Sequence, residues 1–309
     1  MKKIMLVFNP KAGKAKFSKE LEALILKRVQ EDFDFLDIRR TEKAKDAISF
    51  STYACQNFYD SLLVYGGDGT INEVLQGFLG ESHIPKLQLL PGGTGNILTQ
   101  IFQIDQNKRR AVGNMDFSRV QMMDVGIVGD QVFSVFFSIG PIPEAVHSVS
   151  PDEKRQFGPL AYFKESLNKM SKRKQYNLRV ETENDIYEGL VDHLFISLTN
   201  SIGYLQYSQQ NKALDNGYAN IYLVKDALAL KTFSLFGNVL MGRAEEDDHV
   251  EYMSAKNIRI ESLEDDPIET DLDGDYGPPL PVDIEIRKAF LPIYLPLNYR
   301  ATDKRDEKE

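Results

Sequence analysis

Over the first hundred residues the apolar positions follow a repeating rhythm. A short aliphatic or β-branched run is followed by a turn of small residues, then by apolar residues at helical spacing. Ile4 to Phe8 runs into Asn9-Pro10-Lys11-Ala12-Gly13, and Phe17 to Val29 follows as a helix. Phe33 to Ile38 leads through Thr41 to a helical Ala44 to Phe58. Leu62 to Tyr65 enters Gly66-Gly67-Asp68-Gly69-Thr70, with Ile71 to Phe78 helical behind it. Leu87 to Leu90 enters Pro91-Gly92-Gly93-Thr94-Gly95-Asn96, followed by Ile97 to Phe102. Four such units in a row predict a parallel sheet with helices on both faces.

From about Arg119 the pattern changes. Val120 to Ile127, Val132 to Ile139, Leu178 to Glu183, Leu194 to Leu198, Ile221 to Val224, Ile258 to Ile260 and Val282 to Ile286 alternate or cluster like strands of an antiparallel sandwich. Only Leu160 to Met170 and Ala227 to Arg243 read as helices there. The expected organisation is an α/β domain over residues 1–118 and a mostly β domain over 119–291, with residues 292–309 free to return to the first. The polar stretch Pro141 to Pro159 is open between a lid and an ordinary surface loop, and the charged tail Ala301 to Glu309 reads as unstructured.

Composition narrows the function classes. The 309 residues are 42% hydrophobic and 27% charged, which suits globular domains. No run approaches the roughly 20 apolar residues of a membrane span, and the opening Met1-Lys2-Lys3 passes straight into a strand, so the expected location is cytoplasmic. A formal charge of -9 speaks against a nucleic-acid partner. The single Cys55 and the scattered His83, His147, His193 and His249 offer no thiolate or histidine metal cluster.

In an open parallel sheet, ligands bind beyond the carboxyl ends of the strands. Here those ends carry Asn9 to Gly13, Thr41, Gly66 to Thr70 and Gly92 to Asn96, which reads as a phosphate cradle. Glycine lets backbone amides approach an anion, and each following helix adds the positive end of its dipole. Thr70 and Thr94 are placed to cap those helices. A Walker loop does not fit, because Phe8 and Ala15 stand where a glycine and a Ser or Thr are needed. A dinucleotide fingerprint fails at Asn72, where its third glycine belongs. An acid inside a phosphate turn makes sense if a magnesium ion lies between them, which singles out Asp68. Further along, Asp271, Asp273 and Asp275 stand two apart; in an extended segment they would share one side and crowd a surface. Such crowding favours a bound cation or a raised pKa.

Asn9-Pro10 with Gly13, Thr41, Gly66-Gly67-Asp68-Gly69-Thr70 with Asn72-Glu73-Val74, and Pro91 to Asn96 together resemble the catalytic domain of diacylglycerol kinases, a family that includes soluble bacterial lipid kinases and the sphingosine and ceramide kinases. The likeness continues through Gly158-Pro159-Leu160-Ala161-Tyr162 and Asp215-Asn216-Gly217 to Asp273-Gly274-Asp275-Tyr276-Gly277, nearly the whole chain. The resemblance implies an N-terminal α/β domain similar to NAD kinases and phosphofructokinases and a β-sandwich second domain, with ATP in the cleft between them. It implies that Asn9, Pro10, Lys11, Ala12, Gly13, Thr41, Gly66, Gly67, Asp68, Gly69, Thr70, Asn72, Thr94, Gly95 and Asn96 surround the nucleotide. Asp68 would help hold a catalytic Mg2+ through water. Asp275, at the place of the family's glutamate base, would take the proton from the primary hydroxyl of diacylglycerol or a similar lipid, with Asp271 and Asp273 as supporting acids.

The same resemblance implies a structural Mg2+ held by the side chain of Asn216 and the carbonyls of Ala213 and Tyr218; Asp215-Asn216-Gly217 reads equally as a plain hairpin turn. It also implies transient peripheral contact with the inner face of the membrane, and homodimers among bacterial relatives. Ile97 departs from a common aspartate, Asn216 from an acid, Asp275 from the glutamate, and Asn200-Ser201-Ile202-Gly203-Tyr204 from a more glycine-rich loop. A kinase for a soluble, NAD-like metabolite and a catalytically weak nucleotide- or lipid-binding homologue are the alternatives.

Overall fold

The computed structural model describes residues 1–10, 12, 18–140, 175–202, 205, 206, 208, 213–225, 243 and 246–300. The chain divides into two compact units, Met1–Met123 with Leu291–Glu309, and Asp124–Phe290. The expected helices over Leu160 to Met170 and Ala227 to Arg243, the Pro141 to Pro159 segment, Gly203-Tyr204 and the tail lie outside the described residues or almost wholly so.

In the first unit, β1 (Lys3–Phe8), β2 (Phe35–Arg40), β3 (Ser61–Gly66) and β4 (Lys86–Pro91) alternate with α1 (Lys19–Gln30), α2 (Asp46–Gln56), α3 (Asp68–Gln76) and α4 (Ile97–Ile101); the short α5 (Lys108–Gly113) follows. The strands pair in parallel in the order β2-β1-β3-β4, and the far end of the last strand of the chain joins the edge of β4 through Ile293 opposite Leu87. Every residue of β3 is buried, as are Ile4 to Phe8 of β1, as expected for strands covered on both faces. Ser18 caps α1, its hydroxyl accepting from the Leu21 amide at 3.2 Å. The buried Ser61 and Tyr294 hydroxyls meet at 2.8 Å, so the returning segment is tied to the sheet centre.

The second unit holds two antiparallel sheets. One contains β8 (Tyr176–Thr182), β9 (Ile186–Val191), β15 (Asn257–Ser262) and β18 (Val282–Tyr294) as far as Phe290. In the same sheet, β5 (Val120–Val128) pairs with β6 (Gln131–Phe133). The other runs β14-β13-β10-β7-β16-β17, that is Val250–Ala255, Ala219–Val224, His193–Ser197, Phe136–Ile139, Asp271–Leu272 and Asp275–Tyr276. A two-stranded ladder of β11 (Ser201–Ile202) and β12 (Leu205–Gln206) stands apart. Phe137, Ile139, Leu194, Ile196, Ile221 and Leu223 meet Leu178, Val180, Ile258, Ile260 and Ile284 in one core. The run Val132 to Ile139, expected as one strand, is two, because the backbone of Ser134, Val135 and Phe136 turns to donate to Asp273.

Candidate active site

In the first unit the chain winds in opposite directions from β1, toward β2 on one side and β3 on the other, so β1 and β3 flank the topological switch point. Ligands of such sheets lie beyond the carboxyl ends of the strands at that point. Asn9, Pro10, Ala12 and Gly66 to Thr70 occupy this place, with Thr41 next to them. The Asn9 amide donates to the Tyr65 carbonyl at 3.0 Å, and its side chain donates to the Thr70 hydroxyl at 2.9 Å. The Thr41 amide donates to the Phe8 carbonyl at 2.9 Å. Asn9, Thr41, Glu42, Lys43, Ala44, Thr70 and Glu73 line a hollow of about 150 Å³. That is below the usual volume of a ligand pocket, room for a part of a nucleotide. Pro10 is exposed, Ala12 closes a turn on the Asn9 carbonyl at 3.2 Å, and Asn72 is half-buried; Lys11 and Gly13 lie outside the described residues.

The two glycine turns are pressed against each other. A Cβ on Gly92 would come 2.9 Å from the Gly66 Cα, one on Gly93 2.5 Å from the Gly67 Cα, and one on Gly66 2.5 Å from the Thr70 Cβ. Most of the glycines are therefore required by contact between turns. Gly69 differs: a Cβ there would meet nothing within 4 Å, so its missing side chain leaves space at the start of α3.

Asp68 sits in the first turn of α3 and reaches the second glycine turn. One oxygen accepts from the Asn96 amide at 2.8 Å, the other from the Ile97 amide at 2.7 Å. A Cβ on Gly95 would strike the Asp68 carboxylate at 2.6 Å. The expected capping by threonine is thus corrected. Gly67 occupies the N-cap of α3 and Asn96 that of α4, neither with a side-chain cap bond of its own, and the Asp68 carboxylate supplies the cap of α4 from the neighbouring turn. Thr70 is buried and accepts from Asn9, while Thr94 is exposed. Asn96 closes its own turn, its side-chain oxygen accepting from the Gly93 amide at 2.8 Å and its nitrogen donating to Gln106 at 3.1 Å. Gln106 was not singled out by the sequence, since only the fold brings it there.

In the second unit the three spaced acids do not share one extended face. Asp273 (φ 53°) and Gly274 (φ 97°) form the reversal of a two-residue hairpin in which Asp271 pairs with Tyr276 and Leu272 with Asp275. The Asp273 side chain turns inward and accepts from the Ser134 amide (2.6 Å), the Ser134 hydroxyl (2.9 Å), the Val135 amide (2.9 Å) and the Phe136 amide (2.8 Å). Burial pushes its carboxyl above the usual range, opposed by those hydrogen bonds. Asp271 accepts from the Gly274 amide at 2.8 Å, which steadies the turn. Asp275 is exposed, carried on β17 beside the strongly exposed Tyr276.

The same sheet has a face of mixed character. The registers place Phe136 and Ser138, His193 and Phe195, Asn220 and Tyr222, and Tyr252 on one side, with Asp271 opposite Ser138. The aromatic rings follow one another at 5.5, 6.3 and 5.4 Å between centroids. The Ser138 hydroxyl, His193 Nδ1 and Asn220 Nδ2 are buried there without a hydrogen-bond partner among the described residues. Burial lowers the His193 pKa to about 4, against a smaller upward pull from Asp192. Buried polar groups normally have partners, so Ser138 and Asn220 mark a surface suited to something polar, whereas Gly140 crowds the His193 nitrogen. Only the pairing registers reveal it; along the chain these residues are 25 or more positions apart.

The implied structural metal loop is also defined. Asn216 Nδ2 donates to the Ala213 carbonyl at 2.8 Å and its Oδ1 accepts from the Tyr218 amide at 2.7 Å. Asp124, which the sequence did not single out, accepts from the Gly217 and Ala289 amides, each at 2.6 Å. Burial raises its carboxyl pKa, opposed by those two amides. Among the described residues no group of three or more His, Cys, Asp or Glu could hold a metal ion, and no helix is long and apolar enough to cross a membrane.

Comparison with known proteins completes the picture. The family described as "Diacylglycerol kinase catalytic domain" matches residues 3–128. A Streptococcus pneumoniae serotype 4 protein named "Putative lipid kinase" is 38% identical over 297 residues, covering 95% of this chain and 98% of its own. A Staphylococcus carnosus protein named "Diacylglycerol kinase" is 28% identical over 306 residues, covering 98% of each chain. Among solved structures, one described as a diacylglycerol kinase from Bacillus anthracis str. Sterne superposes with a TM-score of 0.75 at 22% identity, over 95% of this chain and 97% of that one; it shares the fold.

Proposed function

Because the chain belongs to the diacylglycerol kinase catalytic-domain family and is a lipid kinase, a phosphotransferase with an alcohol acceptor, we propose that it moves the γ-phosphate of ATP to the primary hydroxyl of diacylglycerol or a lipid of that kind. The observation that carries this reading is the pair of interlocked glycine turns, the first of them at the switch point of the parallel sheet, with open space over Gly69 alone among their glycines. The nucleotide would lie with its sugar or base toward Asn9, Thr41 and Thr70 and its phosphates along the start of α3, where backbone amides and the helix dipole favour anions. Mg2+, when bound on those phosphates, would neutralise charge on the transferring group. Asp68 is the acid at these turns, and it acts there first by fixing the second turn in place.

The acceptor's features match the second unit. An aromatic floor with unpartnered polar atoms on Ser138 and Asn220 suits a molecule with an apolar body and a polar head. Asp275, held on a hairpin whose turn residue is bonded four times to the Ser134–Phe136 segment, is the candidate base. As the lipid oxygen bonds to the γ-phosphorus, its proton passes to Asp275 and the bond to the β-phosphate oxygen breaks, releasing ADP. The acceptor would come from a bilayer by brief peripheral contact.

The test is transfer of labelled γ-phosphate from MgATP to a panel of lipids in mixed micelles, for wild type and Asp275→Asn. Expected is a phosphatidic-acid-type product and a fall in kcat of about 10²-fold or more in the variant, with the melting temperature unchanged. No transfer to any lipid, or full activity in Asp275→Asn, refutes the assignment.

A further inference from the structure

The loop Ala213 to Tyr218 is where the fold family would place a structural magnesium, and the residues present do not fit one. A ligating side chain there must turn an oxygen toward the ion, in company with the Ala213 carbonyl. Here the donor orientation of Asn216 is settled by partners that cannot change roles. A backbone amide can only donate, so the atom facing Tyr218 N at 2.7 Å is Oδ1; a carbonyl can only accept, so the atom facing Ala213 O at 2.8 Å is Nδ2. The group that faces Ala213 therefore has no lone pair to give a metal. Turning the amide over would set its NH2 against the Tyr218 amide and leave the Ala213 carbonyl without this donor.

An acid at the same position would be in the opposite situation. Both of its oxygens are acceptors, so it could keep the Tyr218 amide but would push its second oxygen at the Ala213 carbonyl. A cation between them relieves that repulsion. A carboxamide removes the need, because its own N–H supplies the positive edge. The rest of the loop is held without an ion as well: the Asp124 amide donates to the Leu214 carbonyl at 2.7 Å, and the Asp124 carboxylate accepts from Gly217, whose φ of 86° suits glycine.

We infer that the Asn216 carboxamide stands in for the structural cation of this loop, so that the second unit of this chain folds and holds its shape without a divalent metal.

The experiment uses the full-length protein with neither ATP nor lipid, so its outcome is separate from that of the phosphotransfer reading. Melting temperatures of wild type and Asn216→Asp are measured in EDTA and then in rising Mg2+ or Ca2+. Wild type is expected to melt at the same temperature throughout. Asn216→Asp is expected to melt lower in EDTA and to regain about 5 °C or more, saturably, as the ion is added. The metal content of wild type, dialysed without chelator and measured by mass spectrometry, is expected to be far below one ion per chain. This reading stands even if the variant fails to fold in EDTA. A wild-type melting temperature that climbs saturably with either ion, or one tightly held ion per wild-type chain, overturns the inference. So does an Asn216→Asp variant that is indifferent to EDTA and to added metal, or one that is weakened but rescued by neither ion.

Discussion

Replacing His193 with leucine removes a buried titrating group, and the consequence is a change in how stability depends on pH. The ring is 3% exposed, its Nδ1 has no partner, and a Cβ on Gly140 would come 2.5 Å from that atom, so the backbone leaves little space for water. Its pKa in the folded chain is about 4 against an ordinary 6.5, desolvation of the cation being the main cause. The folded pKa is depressed, so the unfolded chain binds more protons between these values. The neutral ring's contribution is complete above pH 6.5 and is lost as pH falls toward 4. Integrating the linkage from pH 7 to pH 5 gives a loss of about 2 kcal/mol from this residue. Urea unfolding of wild type and His193→Leu, followed by circular dichroism at both pH values, isolates it, because all other groups cancel in the difference. The wild-type advantage over the variant should shrink by about that amount on acidification, or a wild-type deficit should grow by it. A difference that is the same at pH 7 and pH 5 would refute the buried, neutral histidine.

Two further substitutions separate the glycines by what they face. Gly69→Ala should leave the melting temperature unchanged or slightly raised, since a Cβ meets nothing and alanine favours a helix, while a nucleotide titration should show weaker ATP binding. Gly93→Ala drives a Cβ into the Gly67 backbone and should lower both the melting temperature and ATP affinity. Asp273→Ala strips four hydrogen bonds and leaves backbone amides of a buried turn unpaired, an expected loss on the order of 3–5 kcal/mol in chemical denaturation; a loss below about 1 kcal/mol would contradict the inward-facing carboxylate.

The alternation of strand and helix in the first unit was legible because each element buries a regular set of apolar residues, and the strand ends were legible through their glycines. Less legible was why the glycines are there. Their sequence spacing suggested approach to an anion, whereas Gly67, Gly92 and Gly93 answer mainly to backbone of the other turn, 26 residues away, and Gly66 to Thr70 of its own. The role of Asp68 was hidden for the same reason: its partners, Asn96 and Ile97, are local only in space. In the second unit the Asp-Gly step at 273–274 carries a hairpin signal, and the two-residue spacing of the acids obscured it, because a reversal sends alternate residues to different sides. Strands β9 and β14 carry little sequence signal, since five of six residues in the one and four of six in the other are exposed or half-buried and their apolar runs are short.

The continuity of β18 bears on how the protein is made. Its final residues, from Leu291, belong to the first unit, pairing with β4 and placing Tyr294 against Ser61, so a chain released from the ribosome only as far as Met123 lacks the edge strand of its own sheet. Synthesis of the intervening segment takes on the order of 10–30 s at about 5–20 residues per second. For that interval the exposed side of β4 has no neighbour, and the nascent first unit is a natural client for chaperones.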